Sequence, residues 1–229
     1  MPMDQLARCR SLYASMDPMT VHVPILDLNP CSINPKVAAA SREYSAAAIR
    51  FADTIGAGVV TVHPGRRTAK RPPGPDEFTR FEALIDLLRE EAGRAHARVA
   101  IENMEQKVNF MLCTPAAVRA LLDREPWLYF TLDVSHAMGT SVDLVLEYIE
   151  LCSDRMVNVH LSRSEDGVMH LPMQGHPDAQ RVLEALADQG YRGNLTLEIE
   201  DLRFDRTLSR EEKVALLVEE QQFIARFFT

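Results

Sequence analysis

The stretch YFTLDVSHA, Tyr129 to Ala137, decides how the chain is read. It begins as a buried strand and ends with a carboxylate, Asp133, and an imidazole, His136. Side chains alternate faces along a strand, so residues three apart point opposite ways. Either the two serve different purposes, or the strand stops between them and the chain turns back. The expectation is that pairing breaks around Ser135, with Asp133 at the strand end and His136 in a following loop that leans back over it.

Five further runs have the same character: TVHVP (20–24), VVTVH (59–63), VAIEN (99–103), VNVHLS (157–162) and LTLEIE (195–200). Each is nearly continuous in apolar residues with a polar residue near its C-terminal end, as buried parallel strands are. Helix punctuation lies between them. Asn34-Pro35 reads as an N-cap and first-turn proline of a helix reaching Gly56, with Val37, Tyr44, Ala48, Phe51 and Ile55 on its apolar face. Asp76 is expected to cap a helix bearing Phe78, Phe81, Leu84 and Leu88 that ends near Gly93. Thr114-Pro115 and Ser141 open two more, another follows Asp178, and Ser209 with Glu212 forms a capping box before the last.

Alternating β and α elements imply a parallel sheet, open and doubly wound or closed as a barrel. No glycine-rich phosphate loop follows any strand, which favours the barrel. The fold class read here is α/β, a TIM-type (β/α) barrel in one domain spanning residues 1–229, incomplete with six recognisable parallel strands. Such a barrel gathers function at the C-terminal ends of its strands. His22, His63, Glu102, Asp133, His160 and Glu198 occupy those ends. Buried charges need pairing or a metal, and mixed imidazole and carboxylate donors suit a divalent ion, zinc or manganese.

Composition agrees with a globular protein: 46% of residues are hydrophobic and 25% charged. A net charge of -8 disfavours indiscriminate nucleic-acid binding. The four cysteines, Cys9, Cys31, Cys113 and Cys152, are scattered, which fits free thiols in a reducing compartment. With no run long enough to cross a membrane and no apolar signal core, the expected location is cytoplasmic. The first 17 residues read as an amphipathic helix.

The strand signatures TVHVPI, VVTVHPG, VAIEN, FTLDVSHA, VNVHLS and LTLEIE, taken together and in order, resemble those of the xylose isomerase-like TIM-barrel superfamily. That group holds sugar and sugar-phosphate isomerases and epimerases as well as the endonuclease IV family. By motif position, the resemblance implies that Glu102, Asp133, His160 and Glu198 form the four-ligand metal site of the epimerase branch, the two glutamates also handling protons. It implies that His22, His63 and His136 match extra ligands of the endonuclease branch, where Glu102 bridges two ions. In that branch an Asp-x-His completes a third zinc site. Here His170 matches its histidine, but Val168 stands at the aspartate position. Ser162-Arg163 replaces an Asn-Asp pair, and Gln174-Gly175-His176 replaces a Gly-Glu-Gly stretch. Asp166 is the nearest substitute carboxylate.

Family members carry two βα units before the strand matching TVHVPI, whereas residues 1–19 have room for a helix only. Six strands do not close an eight-stranded barrel. The expectation is that a partner copy, making a homo-oligomer, or a rearranged N-terminal helix covers the open edges.

The leading expectation is a metal-dependent isomerase or epimerase of a small phosphorylated or polyhydroxylated substrate. Glu102 and Glu198 are its catalytic acid–base pair, and His136, Arg163, Arg66 and Arg67 its substrate contacts. The basic loop RRTAKRPPGP (66–75) suits a phosphate. The alternatives are phosphodiester hydrolysis at abasic DNA sites and a degenerate barrel acting as a binding module. His96 and Trp127 are expected to play no catalytic part.

Overall fold

In a computed structural model, which describes residues 11–13, 16–201 and 204–228, all six runs are strands of one sheet. They are β1 (Thr20–His22), β2 (Val59–Val62), β3 (Arg98–Glu102), β4 (Tyr129–Asp133) and β5 (Met156–Leu161), followed, after a hairpin of β6 (Arg163–Glu165) and β7 (Val168–Leu171), by β8 (Asn194–Leu197). Every neighbouring pair in the sheet is parallel, in the order β1-β2-β3-β4-β5-β8, and the sheet curls as a partial TIM-type barrel. Among the described residues β1 and β8 each have one strand neighbour. The expected N-terminal helix lies mostly outside the described residues.

The intervening helices are α1 (Pro35–Ile55), α2 (Pro75–Ala92), α3 (Pro115–Arg124), α4 (Val134–Met138), α5 (Val142–Cys152), α6 (Pro177–Asp188) and α7 (Arg210–Ala225). Their ends follow the sequence punctuation. Asn34, Thr114 and Ser141 each cap through a side-chain oxygen, and Ser209 with Glu212 makes the capping box. Gly56 ends α1 at φ 81, a conformation that glycine adopts without strain.

The sheet separates two kinds of side chain. Val60, Val62, Ile101, Phe130, Leu132, Val159 and Leu161 are buried with Leu84, Ile85, Leu88, Leu122 and Tyr148 of the helices in one apolar cluster. Each large apolar side chain so buried contributes roughly 1.5–3 kcal/mol. Alternate positions carry small or polar groups: Thr61, Ala100, Thr131 and Asn158, all buried. Two hydrogen bonds cross this face, with Thr61 Oγ1 2.9 Å from Thr131 Oγ1 and Thr196 Oγ1 donating to Asn158 Oδ1. The ligand-bearing residues continue this polar face at the C-terminal end of the sheet.

Several local expectations change. His136 is in a helix, not a loop: α4 starts directly after Asp133, whose Oδ1 caps it by accepting from His136 N at 2.7 Å. The region after His160 contains the antiparallel hairpin of β6 with β7, which no extended apolar run marks in the sequence. Gly74, rather than Asp76, precedes α2, because Pro75 occupies its first turn and Glu77 folds back onto the Gly74 N–H. Tyr44 and Phe78 are exposed. The covered stripe of α1 runs instead through Ser41, Ser45, Ala48, Ile49 and Ala52, mostly small residues that let the helix approach closely.

The last helix is fixed by a charge. Glu220 is fully buried and accepts from the N–H groups of Met173 and Gln174 at 2.8 and 3.0 Å. Glu220→Ala strands both donors, and urea unfolding should show a loss of about 2–4 kcal/mol.

Candidate metal centre

Six residues from six strand ends meet at one mouth. Glu102, almost wholly buried, is their hub. Its Oε2 lies 2.8 Å from His63 Nε2 and 3.2 Å from His22 Nε2. Its Oε1 lies 3.1 Å from His160 Nδ1. His160 Nδ1 is also 2.8 Å from Glu198 Oε2 and 3.8 Å from Asp133 Oδ2. Two groups of converging donor atoms result, His22–His63–Glu102 and Glu102–Asp133–His160–Glu198, each spanning no more than 4.8 Å.

Hydrogen-bond bookkeeping shows what these groups lack. One Nδ1 hydrogen on His160 serves one carboxylate, yet three face it. Asp133 Oδ2 and Glu198 Oε2 are buried without a hydrogen-bond partner. His22 Nδ1 donates to the Val23 carbonyl at 2.8 Å, so in the neutral ring Nε2 presents a lone pair to the Glu102 carboxylate. Lone pairs facing one another in a buried site call for a shared cation. Metal–ligand bonds of ~2.0–2.2 Å place neighbouring donors about 3–3.5 Å apart, the scale seen here. The residues present therefore fit a divalent ion.

Electrostatics agree. Burial alone would lower the pKa of His22, His136 and His160, but the carboxylates outweigh it. The hydrogen bond and charge of Glu102 raise His22, and the charges of Asp133 and Glu102 raise His136. Glu102, aided by the nearby carboxylates of Asp133 and Glu198, pushes His160 up to about 12. Burial would raise Glu102, yet His63 and His160 hold it well below the ordinary carboxylate range, and His136 likewise lowers Asp133. The carboxylates thus stay ionised and ready to ligate.

Asn103 locks this geometry. Its buried amide donates to the Asp133 carbonyl at 2.9 Å and accepts from the Asp133 N–H at 2.8 Å. Its own carbonyl takes a hydrogen from His136 Nδ1 at 3.0 Å, which leaves His136 Nε2 available to a metal or substrate. Asn103→Ala should weaken metal binding by about tenfold or more, read by competition with a chromophoric chelator, with the fold retained by circular dichroism.

The remaining site candidates spread outward. His136 lies at the mouth, 6.2 Å from the His63 ring and 5.9 Å from the His170 ring between centroids. His170 Nδ1 is 3.2 Å from Ser162 Oγ, and among the described residues it joins no three-donor group. Asp166 occupies the hairpin turn at φ 51. Arg67 is tied to the Pro72 carbonyl and to Glu77, and Arg163 to the Pro172 carbonyl and Glu165. His176 caps α6. His96 lies beyond the N-terminal end of β3, away from the mouth, and Trp127 donates to Glu125. Among these three arginines Arg66 borders a cavity at the mouth.

That cavity, about 330 Å³, opens beside the metal groups. His63 and His136 form part of its wall, with Ser41, Arg66, Lys107 and Phe110 elsewhere on it. Sequence reasoning did not single out Lys107, Glu105, Phe110 or Asn103, because these sit in or beside an irregular loop with no periodic pattern. The one visible signal is Asn103, adjacent to the ligand Glu102.

With fold and site in view, the chain belongs to the xylose isomerase-like TIM barrel family, whose model matches residues 4–226. It is 28% identical over 225 residues to an uncharacterized protein of Methanocaldococcus jannaschii, covering 97% of this chain and 82% of that protein. Among solved structures, an L-ribulose 3-epimerase superposes with a TM-score of 0.78 at 19% identity, covering 100% of this chain and 81% of that one. Endonuclease IV from Thermus thermophilus superposes with a TM-score of 0.69 at 17% identity, covering 99% and 83%. At such identities the likeness is one of fold. No helix among the described residues is long and apolar enough to cross a membrane.

Proposed function

We propose that the protein is a divalent-metal-dependent isomerase or epimerase of a small sugar or sugar phosphate. The observation that carries this reading is the placement of two glutamates, Glu102 and Glu198, on one histidine nitrogen beside a cavity of small-molecule size. Glu102, Asp133, His160 and Glu198 would hold the ion, zinc or manganese. When bound, such an ion supplies Lewis acidity to a carbonyl and its neighbouring hydroxyl.

The chain's own residues do the rest. One glutamate, as carboxylate, removes the proton α to the carbonyl, and the other, as carboxylic acid, returns one, so each turnover exchanges their protonation states and solvent resets them. Burial of Glu102 keeps its proton transfers away from bulk water. Glu198, about 40% exposed in its side chain, has room to exchange its proton with solvent. His136 Nε2 orients a substrate oxygen. In deuterated buffer with manganese, a small ketose or its phosphate should acquire deuterium next to its carbonyl. A panel of such sugars without exchange or interconversion would remove the assignment.

The second reading, metal-dependent phosphodiester hydrolysis at abasic DNA, is supported by the additional His22–His63–Glu102 group. Proton transfer between two glutamates has no need of it. Against it stand Val168 at the expected aspartate position and the overall acidic charge. A binding module without chemistry accounts for neither group of donors. A homo-oligomer that covers the β1 and β8 edges remains part of the proposal, tested by the mass of the native protein in solution.

A further inference from the structure

We infer that the cavity beside the metal centre is an anion subsite that takes the phosphate of a small phosphorylated sugar, with Arg66 as its principal contact. The inference rests on the isomerase reading only for the reacting end of the substrate.

Three observations converge on Arg66. First, its backbone is held with unusual care. The Asn29 side-chain amide donates to the Arg66 carbonyl at 2.8 Å and accepts from the Arg66 N–H at 3.0 Å. Gly65 precedes it at φ 96, where a Cβ would lie 3.0 Å from Asn29, Pro30 and Cys31 atoms. A bridge to Phe110 pins the other side. Second, its exposed guanidinium has no carboxylate partner among the described residues. It lies 5.5 Å from the centre of the Phe110 ring, while Lys107 lies 5.6 Å from the same ring. Third, both cations border the cavity that also touches His63 and His136, so one small molecule reaches from the metal groups to Arg66.

The surrounding charge favours an anion there. Residues 66–71 hold Arg66, Arg67, Lys70 and Arg71 in a chain of net charge -8. Among the described residues only Arg67 of these has a carboxylate, Glu77. Two acids share the cavity wall. Glu105 is already paired with Lys107, which leaves Asp27, among the described residues, as the one unpaired acid on the cavity wall beside Arg66. The balance leaves the Arg66 guanidinium at the cavity mouth, with no carboxylate partner among the described residues, and its planar fork matches two phosphate oxygens. The cavity of about 330 Å³ is at the small end of ligand sites, which suits a sugar phosphate better than a nucleic-acid strand.

Two measurements on the full chain test this. In the metal-free protein, inorganic phosphate titrated by calorimetry should bind roughly ten- to a hundredfold more weakly to Arg66→Gln than to wild type. Arg94→Gln, a change just beyond the end of α2, should match wild type. In the manganese-loaded protein, solvent deuterium exchange should show a higher kcat/KM for D-ribulose 5-phosphate than for D-ribulose, and Arg66→Gln should erase most of that ratio. Equal phosphate binding in Arg66→Gln and wild type would overturn the subsite. Exchange without preference for the phosphate would overturn it too, while leaving the isomerase standing. Loss of phosphate binding in Arg66→Gln with no exchange on either sugar or on the wider panel of ketoses and their phosphates would keep the subsite and remove the isomerase. Cleavage of an abasic oligonucleotide that depends on Arg66 would overturn the assignment to a small substrate.

Discussion

Glu102→Gln should abolish turnover, lowering kcat by at least about a thousandfold, while the protein remains folded. The side chain keeps its shape and loses its charge. Glu102 is the one residue common to both donor groups, so its amide leaves His22, His63 and His160 without the carboxylate that faces all three. It also removes the proposed proton carrier at the end of β3. The core does not depend on this residue, since the apolar packing lies on the other face of the sheet. Steady-state kinetics and circular dichroism on the same sample separate the two effects. Retained turnover would sink the role given to Glu102 under either enzyme reading.

Asp133→Asn should strip the ion from the four-donor group while sparing its neighbour. Asn keeps an oxygen able to cap α4, so His136 stays in place. What it loses is the negative charge at Oδ2, the buried oxygen with no hydrogen-bond partner. After dialysis against zinc or manganese and removal of free ion, elemental analysis should show one ion per chain fewer than in wild type. His63→Ala removes a donor from the other group only, so any further ion held there is lost separately. Equal metal content in Asp133→Asn and wild type would show that the orphaned oxygen serves another purpose.

The sequence exposed the sheet because buried parallel strands are short apolar runs and the helices between them carry their own start signals. Asn34, Thr114, Ser141 and Ser209 cap as their side chains dictate, a local chemistry independent of tertiary contacts. The ligand residues were visible because each interrupts an apolar run at its end. The helical setting of His136 was hidden, since Val134 to Met138 is too short for a periodic signal and depends on Asp133 as its cap. The hairpin after β5 was hidden for a similar reason: its two strands are three and four residues long, with no extended apolar alternation. Tyr44 falls at helical spacing yet is exposed, because the packed stripe of α1 consists largely of serines and alanines; Phe78 of α2 is exposed in the same way, while Phe81, Leu84 and Leu88 pack.

The roles of the arginines illustrate a limit of a different kind. In sequence, Arg66 and Arg67 are equivalent members of a basic run. In the structure Glu77 and the Pro72 carbonyl occupy Arg67, while the Asn29 clamp presents Arg66 at the cavity. Only the three-dimensional partners distinguish a cation that is spent on the fold from one that is available to a ligand.

Crystals of the native protein grown with zinc or manganese, measured at the metal absorption edge, test the central claim most directly. The expected result is an anomalous peak enclosed by Glu102, Asp133, His160 and Glu198. A map with no peak among these four side chains, or with density only at His22 and His63, would contradict it.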